Sequence, residues 1–64
     1  MSKFYKDVCK ILKAHGCYYV RSAKGDHQLW ASPISNRRFI VDPGTKSRHT
    51  ANAVLKQAGI DEKL

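Results

Sequence analysis

The order of helix-like and strand-like patterns along the chain is the feature that most constrains its fold. Apolar residues spaced as on one face of a helix occur near both ends, and three short segments of strand-like composition lie between them. The predicted elements are a helix over residues 3–15, strands over 17–22, 27–32 and 37–42, and a helix within 47–58. This order predicts an α-β-β-β-α arrangement.

Both predicted helices have start and stop signals. The first helix has its apolar stripe at four positions, Phe4, Val8, Ile11 and Leu12. The second has its stripe at Ala51, Val54, Leu55 and Ala58. Ser2 is placed to cap the first helix, and either Ser47 or Thr50 to cap the second. Gly16 and Gly59 follow the last helical turns, where a left-handed residue ends a helix.

Short turns connect the three predicted strands. Residues 23–26 include Gly25 and Asp26, residues 33–36 include Pro33 and Asn36, and the third strand ends at an Asp-Pro-Gly break. Strands joined by such short turns form an antiparallel meander. We therefore expect one α+β domain over residues 1–64, with both helices on one face of the sheet and residues 61–64 as a loose tail.

A strong positive charge limits the kind of partner that the chain binds. Twelve Lys and Arg stand against five Asp and Glu, and the formal net charge is +7. Such a balance favours nucleic acid first and an anionic membrane surface second. No apolar run approaches the ~18 residues of a membrane span, and the amino end is too charged for a secretory signal. We expect a cytoplasmic protein with reduced thiols at Cys9 and Cys17.

Most catalytic chemistries lack their characteristic residues here. The potential metal ligands Cys9, His15, Cys17, His27 and His49 show none of the paired spacings of zinc sites, so no metal cofactor is expected. Phosphate-loop glycines and a serine nucleophile elbow are also missing. A histidine acting on RNA is still compatible with the sequence, because RNA carries its own nucleophile, the 2′-hydroxyl beside each phosphate.

Three histidines are candidates for that role. His15 lies at the end of the first helix, where a structural role is the simplest interpretation. His49 lies in the first turn of the second helix beside Lys46 and Arg48, and a bound phosphate would offset the conflict of these cations with the helix dipole. His27 follows the first turn. From the residues alone, a histidine at the start of a strand more often has a structural role than a catalytic one, so His27 is a candidate only.

Several segments together resemble a known family. They are the Val8, Ile11 and Leu12 stripe ending at Gly16, the Lys24-Gly25-Asp26-His27 element, and Thr50 followed by Leu55-Lys56-Gln57-Ala58-Gly59-Ile60. In this order they resemble the HicA toxins of toxin–antitoxin pairs, small mRNA-cleaving proteins with a double-stranded-RNA-binding-domain-like fold. The chain departs from many members at Asp26, where they have serine, and at His49, where they have glycine.

The resemblance implies a function and a partner. It implies a type II toxin that cleaves mRNA without a metal, with His27, two positions after the glycine, as the catalytic residue. It also implies neutralisation by a HicB-type antitoxin that covers the RNA-binding face or the histidine. Our hypothesis adds Lys24, Lys46 and Arg48 as contacts to the RNA backbone, and His49 as a second group there. The alternatives are a non-catalytic double-stranded-RNA-binding module and a domain that binds an acidic protein.

Overall fold

The structure is a computed structural model that describes residues 3–64. Helix α1 (Lys3–Ala14) is followed by strands β1 (Tyr18–Ser22), β2 (Gln28–Ala31) and β3 (Arg38–Val41), and then by helix α2 (Arg48–Gln57). This order confirms the predicted α-β-β-β-α arrangement and its double-stranded-RNA-binding-domain-like fold. The predicted cap at Ser2 lies outside the described residues.

The strands form an antiparallel meander with β2 in the centre. Trp30 of β2 lies opposite Tyr19 on one side and Phe39 on the other. The register with β1 shifts between Tyr19 and Arg21, so Val20 is the additional residue of a β-bulge. The pairing with β3 is regular throughout, and this regular register determines which side chains meet at the ends of the two strands.

The two faces of the sheet differ in burial. In β3, Phe39 and Val41 are buried, whereas Arg38 and Ile40 are exposed. The buried side chains join Trp30 and the apolar stripes of both helices in one core cluster. Both helices therefore cover the same face, as predicted, and the opposite face, hereafter the open face, has no helix on it.

The helices are held by their buried leucines and their caps. Leu12 of α1 and Leu55 of α2 are completely buried, and burial of a leucine side chain contributes about 1.5–3 kcal/mol. Ser47, not Thr50, caps α2, because its hydroxyl accepts a hydrogen bond from the Thr50 amide at 3.3 Å. After α2, Gly59 has a φ of +80°, a conformation that favours glycine.

The structure corrects the predicted start of the second strand. Strand β2 begins at Gln28, and His27 lies in the preceding turn. The His27 amide donates to the Lys24 carbonyl at 3.2 Å, which closes the turn. The side chain of His27 therefore projects from the end of the strand, at the boundary between turn and sheet.

The last four residues, predicted as a loose tail, make three contacts with the rest of the domain. The Leu64 amide donates to Asn52 Oδ1 at 2.7 Å, and the Leu64 side chain is half-buried against the core. Glu62 pairs with the His15 imidazole at the end of α1. His15 thus has the structural role at a helix end that its position suggested.

Both cysteines are free thiols, and Cys9 has a consequence for stability at alkaline pH. Burial raises the pKa of the Cys9 thiol, although its hydrogen bond with Tyr5 and the charge of Lys13 oppose the change. The folded protein therefore keeps this proton at a pH where the unfolded chain has released it, so stability is lost as the pH rises above about 8.5.

We expect the urea midpoint of the wild type to fall between pH 7 and pH 9.5, and the fall to be smaller in a Cys9→Ala variant. Urea titrations at both pH values, followed by circular dichroism, measure the two differences. An equally large fall in the variant would show that Cys9 is not the group responsible.

Candidate functional site

His27 faces a carboxylate across the end of the sheet. Gln28 lies opposite Val41, so the antiparallel register brings the preceding residue, His27, opposite the following residue, Asp42. The His27 Nε2 atom lies 3.6 Å from Asp42 Oδ2. Their side chains are 47% and 46% exposed, so a macromolecule can reach both. This imidazole–carboxylate pair is the centre of the candidate site.

The Asp42 carboxylate is fixed by the turn that follows β3. Its Oδ1 atom accepts a hydrogen bond from the Gly44 amide at 2.8 Å. The backbone carbonyl of Asp42 accepts hydrogen bonds from the Thr45 amide at 3.1 Å and from the Thr45 hydroxyl at 2.8 Å. The Asp-Pro-Gly break therefore forms a closed Asx turn, and Oδ2 is the oxygen left to face His27.

The backbone of His27 is also fixed by hydrogen bonds. The His27 amide and carbonyl both bond within the β1–β2 turn, the carbonyl accepting from the Ala23 amide at 2.7 Å. Across residues 3–64, Asp42 is the only residue that pairs with the ring. A neutral ring that keeps its proton on Nε2, facing Asp42, has an unprotonated Nδ1 that can accept a proton from a ligand.

The open face next to this pair is apolar and cationic. Leu29 lies opposite Ile40, two residues along the strands from His27 and Asp42, and therefore on the same face. Ile40 is 45% exposed and Tyr18, at the other edge of the sheet, is 58% exposed. The arginines of this face are Arg21, opposite Leu29, and Arg38, opposite Ala31.

Two of the predicted RNA-binding residues lie at the same end of the sheet as His27. Lys24 is exposed in the β1–β2 turn, and its carbonyl accepts the hydrogen bond from the His27 amide. Lys46 is exposed between the Asx turn of Asp42 and the cap residue Ser47. The two lysines thus belong to the chain segments next to His27 and Asp42.

The other two predicted cations point elsewhere. The Arg48 guanidinium lies over the Phe4 ring, 6.0 Å from its centroid, and so packs α2 against α1. His49 lines a groove in which the charges of Asp61 and Glu62 offset those of Lys56 and Lys63, so the groove offers a phosphate little net attraction. The phosphate site predicted at the first turn of α2 therefore stays a prediction.

Sequence reasoning missed Asp42 as a functional residue. The carboxylate adjacent in sequence, Asp26, lies in the exposed turn and makes no ion pair with His27. Asp42 is fifteen positions away in the sequence and reaches the histidine only through the β2–β3 register. The Asp-Pro-Gly sequence indicates the end of a strand, but it does not indicate that His27 lies opposite Asp42 there.

A comparison with protein families identifies the chain. A family model described as "HicA toxin of bacterial toxin-antitoxin" matches residues 5–60, most of the chain. The chain belongs to the HicA toxin family. No curated protein and no solved structure gives a significant match. The range matched by the HicA model contains His27, Asp42, Lys24 and Lys46.

Membership of the HicA family establishes a role in general terms. The protein is a toxin of a toxin–antitoxin system and has an antitoxin partner. Within residues 3–64, no three His, Cys, Asp or Glu side chains are close enough to form a metal site. Neither helix of that range is long and apolar enough to cross a membrane.

Proposed function

We propose that this HicA toxin is an endoribonuclease that cleaves mRNA without a metal ion, with His27 as its catalytic residue. The observation that supports this most strongly is the exposed His27–Asp42 pair, with its 3.6 Å separation. A carboxylate beside an imidazole can orient the ring, and it supplies a negative charge that offsets the positive charge which the ring gains during the reaction. Both effects suit a group that acts as a general base.

The proposed reaction uses the nucleophile of the RNA itself. His27 Nδ1 accepts the proton of a 2′-hydroxyl, and the 2′-oxygen forms a bond to the adjacent phosphorus. The bond from phosphorus to the 5′-oxygen breaks, and that oxygen takes a proton from water. The products are a 2′,3′-cyclic phosphate and a 5′-hydroxyl. Lys24 and Lys46 offset the charge that develops on the phosphate oxygens, and Asp42 stabilises the imidazolium.

The remaining contacts follow from the same hypothesis. Arg48, held over Phe4, keeps its charge and contributes to the positive field around the α2 amino end. His49, beside two carboxylates, is the weaker candidate for an RNA contact. We propose that a HicB-type antitoxin neutralises the toxin in the cytoplasm by covering the His27–Asp42 pair or the face that binds RNA.

A cleavage assay tests the proposed activity. We expect purified protein to cleave an mRNA transcript in the presence of EDTA, and mass spectrometry to find 2′,3′-cyclic phosphate ends on the products. The chemical form of the product ends distinguishes two reactions. Attack by the 2′-hydroxyl leaves a cyclic phosphate, whereas direct attack by water leaves a linear phosphate. RNA binding without cleavage would instead support a double-stranded-RNA-binding module, and absence of RNA binding would support a domain for an acidic protein partner.

A further inference from the structure

Helix α1 carries a row of lysines that the proposed cleavage site does not use. They are Lys3, Lys6, Lys10 and Lys13. At 100° per residue, these positions fall within an arc of about 80° on the helix, and they span about 15 Å along its axis. They line an open groove of about 780 Å³, hereafter the α1 groove, together with Tyr5, Asp7, Cys9 and Trp30.

The charge of this row is compensated only in small part within the described range. In the described range of residues 3–64, both ion pairs involve a histidine, and none involves a lysine of α1. Asp7 is the only acidic residue that lines the α1 groove. Lysines three and four residues apart repel one another on a helix, and no acidic residue in the first turn offsets the dipole. The row therefore opposes helix formation, and a polyanion in the groove would reverse this.

A second groove, beside α2, is also lined by lysines but has no comparable excess of positive charge. Lys56 and Lys63 line a groove of about 580 Å³ beside α2, but Asp61 and Glu62 line it as well. That groove is close to neutral apart from His49. Among the grooves that the described residues form, the α1 groove thus combines several lysines with a single carboxylate.

The floor of the α1 groove is connected to the candidate cleavage site. Tyr5 donates from its hydroxyl to Gln28 Oε1 at 3.1 Å, and Trp30 donates from its indole to the same oxygen at 2.9 Å. Gln28 follows His27 directly and points to the opposite face of the sheet. The α1 groove therefore lies on the face of the sheet opposite to His27, and an RNA strand that occupies both sites must pass around the edge or end of the sheet.

We infer that the α1 groove binds the sugar–phosphate backbone of the RNA substrate, beyond the phosphate that is cleaved. This inference rests on the proposed function for its ligand class. The lysines supply cations along about 15 Å. The half-buried Tyr5 and Cys9 supply an apolar floor for the sugar and base edges. The groove is open to solvent, so a polymer can enter it.

The test compares two pairs of lysines at equal change of net charge. The variants are Lys6→Gln/Lys10→Gln in the α1 groove and Lys56→Gln/Lys63→Gln in the neutral groove. The probe is a fluorescein-labelled single strand of 20 nucleotides made of 2′-O-methyl ribonucleotides, which lacks the nucleophilic hydroxyl. Lysine and glutamine have similar helix propensities, and circular dichroism melting checks that both variants fold.

We expect the α1-groove variant to bind the probe about tenfold more weakly near 0.1 M salt, with a salt slope smaller by about 1.4 because two phosphate contacts are lost. The control variant should stay within about twofold of the wild type. Equal affinities and equal slopes for the two variants would overturn the inference.

The probe also separates this inference from the proposed activity. If the protein binds the probe through the α1 groove but leaves mRNA intact, the proposed endoribonuclease activity is refuted and the inference of RNA binding in the α1 groove stands. If the wild type cleaves mRNA and the α1-groove variant binds the probe as well as the wild type does, the inference about the α1 groove is refuted and the proposed endoribonuclease activity stands.

Discussion

RNA cleavage by a His27→Ala variant is expected to fall to about 10⁻²–10⁻⁴ of the wild-type rate, the range lost when a general base is removed. His27 is the only described imidazole that pairs with a carboxylate on the open face of the sheet. Its side chain is exposed and lies outside the β ladder, so the variant should fold like the wild type. Initial rates with an mRNA transcript in EDTA, at enzyme concentrations above the RNA concentration, measure the chemical step.

His15→Ala is the matched control for this variant. His15 is also an exposed histidine beside a carboxylate, Glu62, but it lies at the carboxyl end of α1. Its loss should leave the cleavage rate within about twofold of the wild type, since it contacts neither His27 nor Asp42. Undiminished cleavage by His27→Ala would show that the catalytic residue is a different one.

The fold could be predicted from the sequence because each element is specified locally. The apolar stripes that contain Leu12 and Leu55 are helical patterns, and both leucines are completely buried. The predicted start of β2, at His27, was wrong by one residue. The His27 amide donates a hydrogen bond to the Lys24 carbonyl in the turn and does not pair with a neighbouring strand. That difference depends on turn geometry, which residue patterns do not determine.

The candidate site was only partly accessible from the sequence. Family resemblance selected His27, but its carboxylate partner Asp42 depends on the register of β2 against β3. Register is a property of the assembled sheet, so the adjacent Asp26 was the more conspicuous carboxylate. The α1 groove was missed for a similar reason, since it exists only where α1 packs beside Trp30.

The Asp42→Asn variant should lower kcat about 10- to 100-fold with little change in KM. Asparagine keeps the size of the side chain and an Oδ1 that accepts from the Gly44 amide, so the turn is retained. What it removes is the negative charge 3.6 Å from His27 Nε2, and with it the stabilisation of the imidazolium formed in the reaction. Because Asp42 is expected not to contact the RNA, substrate affinity should be nearly unaffected.

Imidazole nitrogen chemical shifts distinguish this role from a purely structural one. In the wild type we expect the neutral His27 ring to carry its proton on Nε2, and in Asp42→Asn we expect this preference to weaken. Asp26→Asn is the matched control, since it removes an adjacent carboxylate that makes no ion pair with the ring. It should leave both kcat and the tautomer unchanged. If Asp26→Asn lowered kcat and Asp42→Asn did not, the carboxylate adjacent in sequence, and not the one across the sheet, would be the partner of His27.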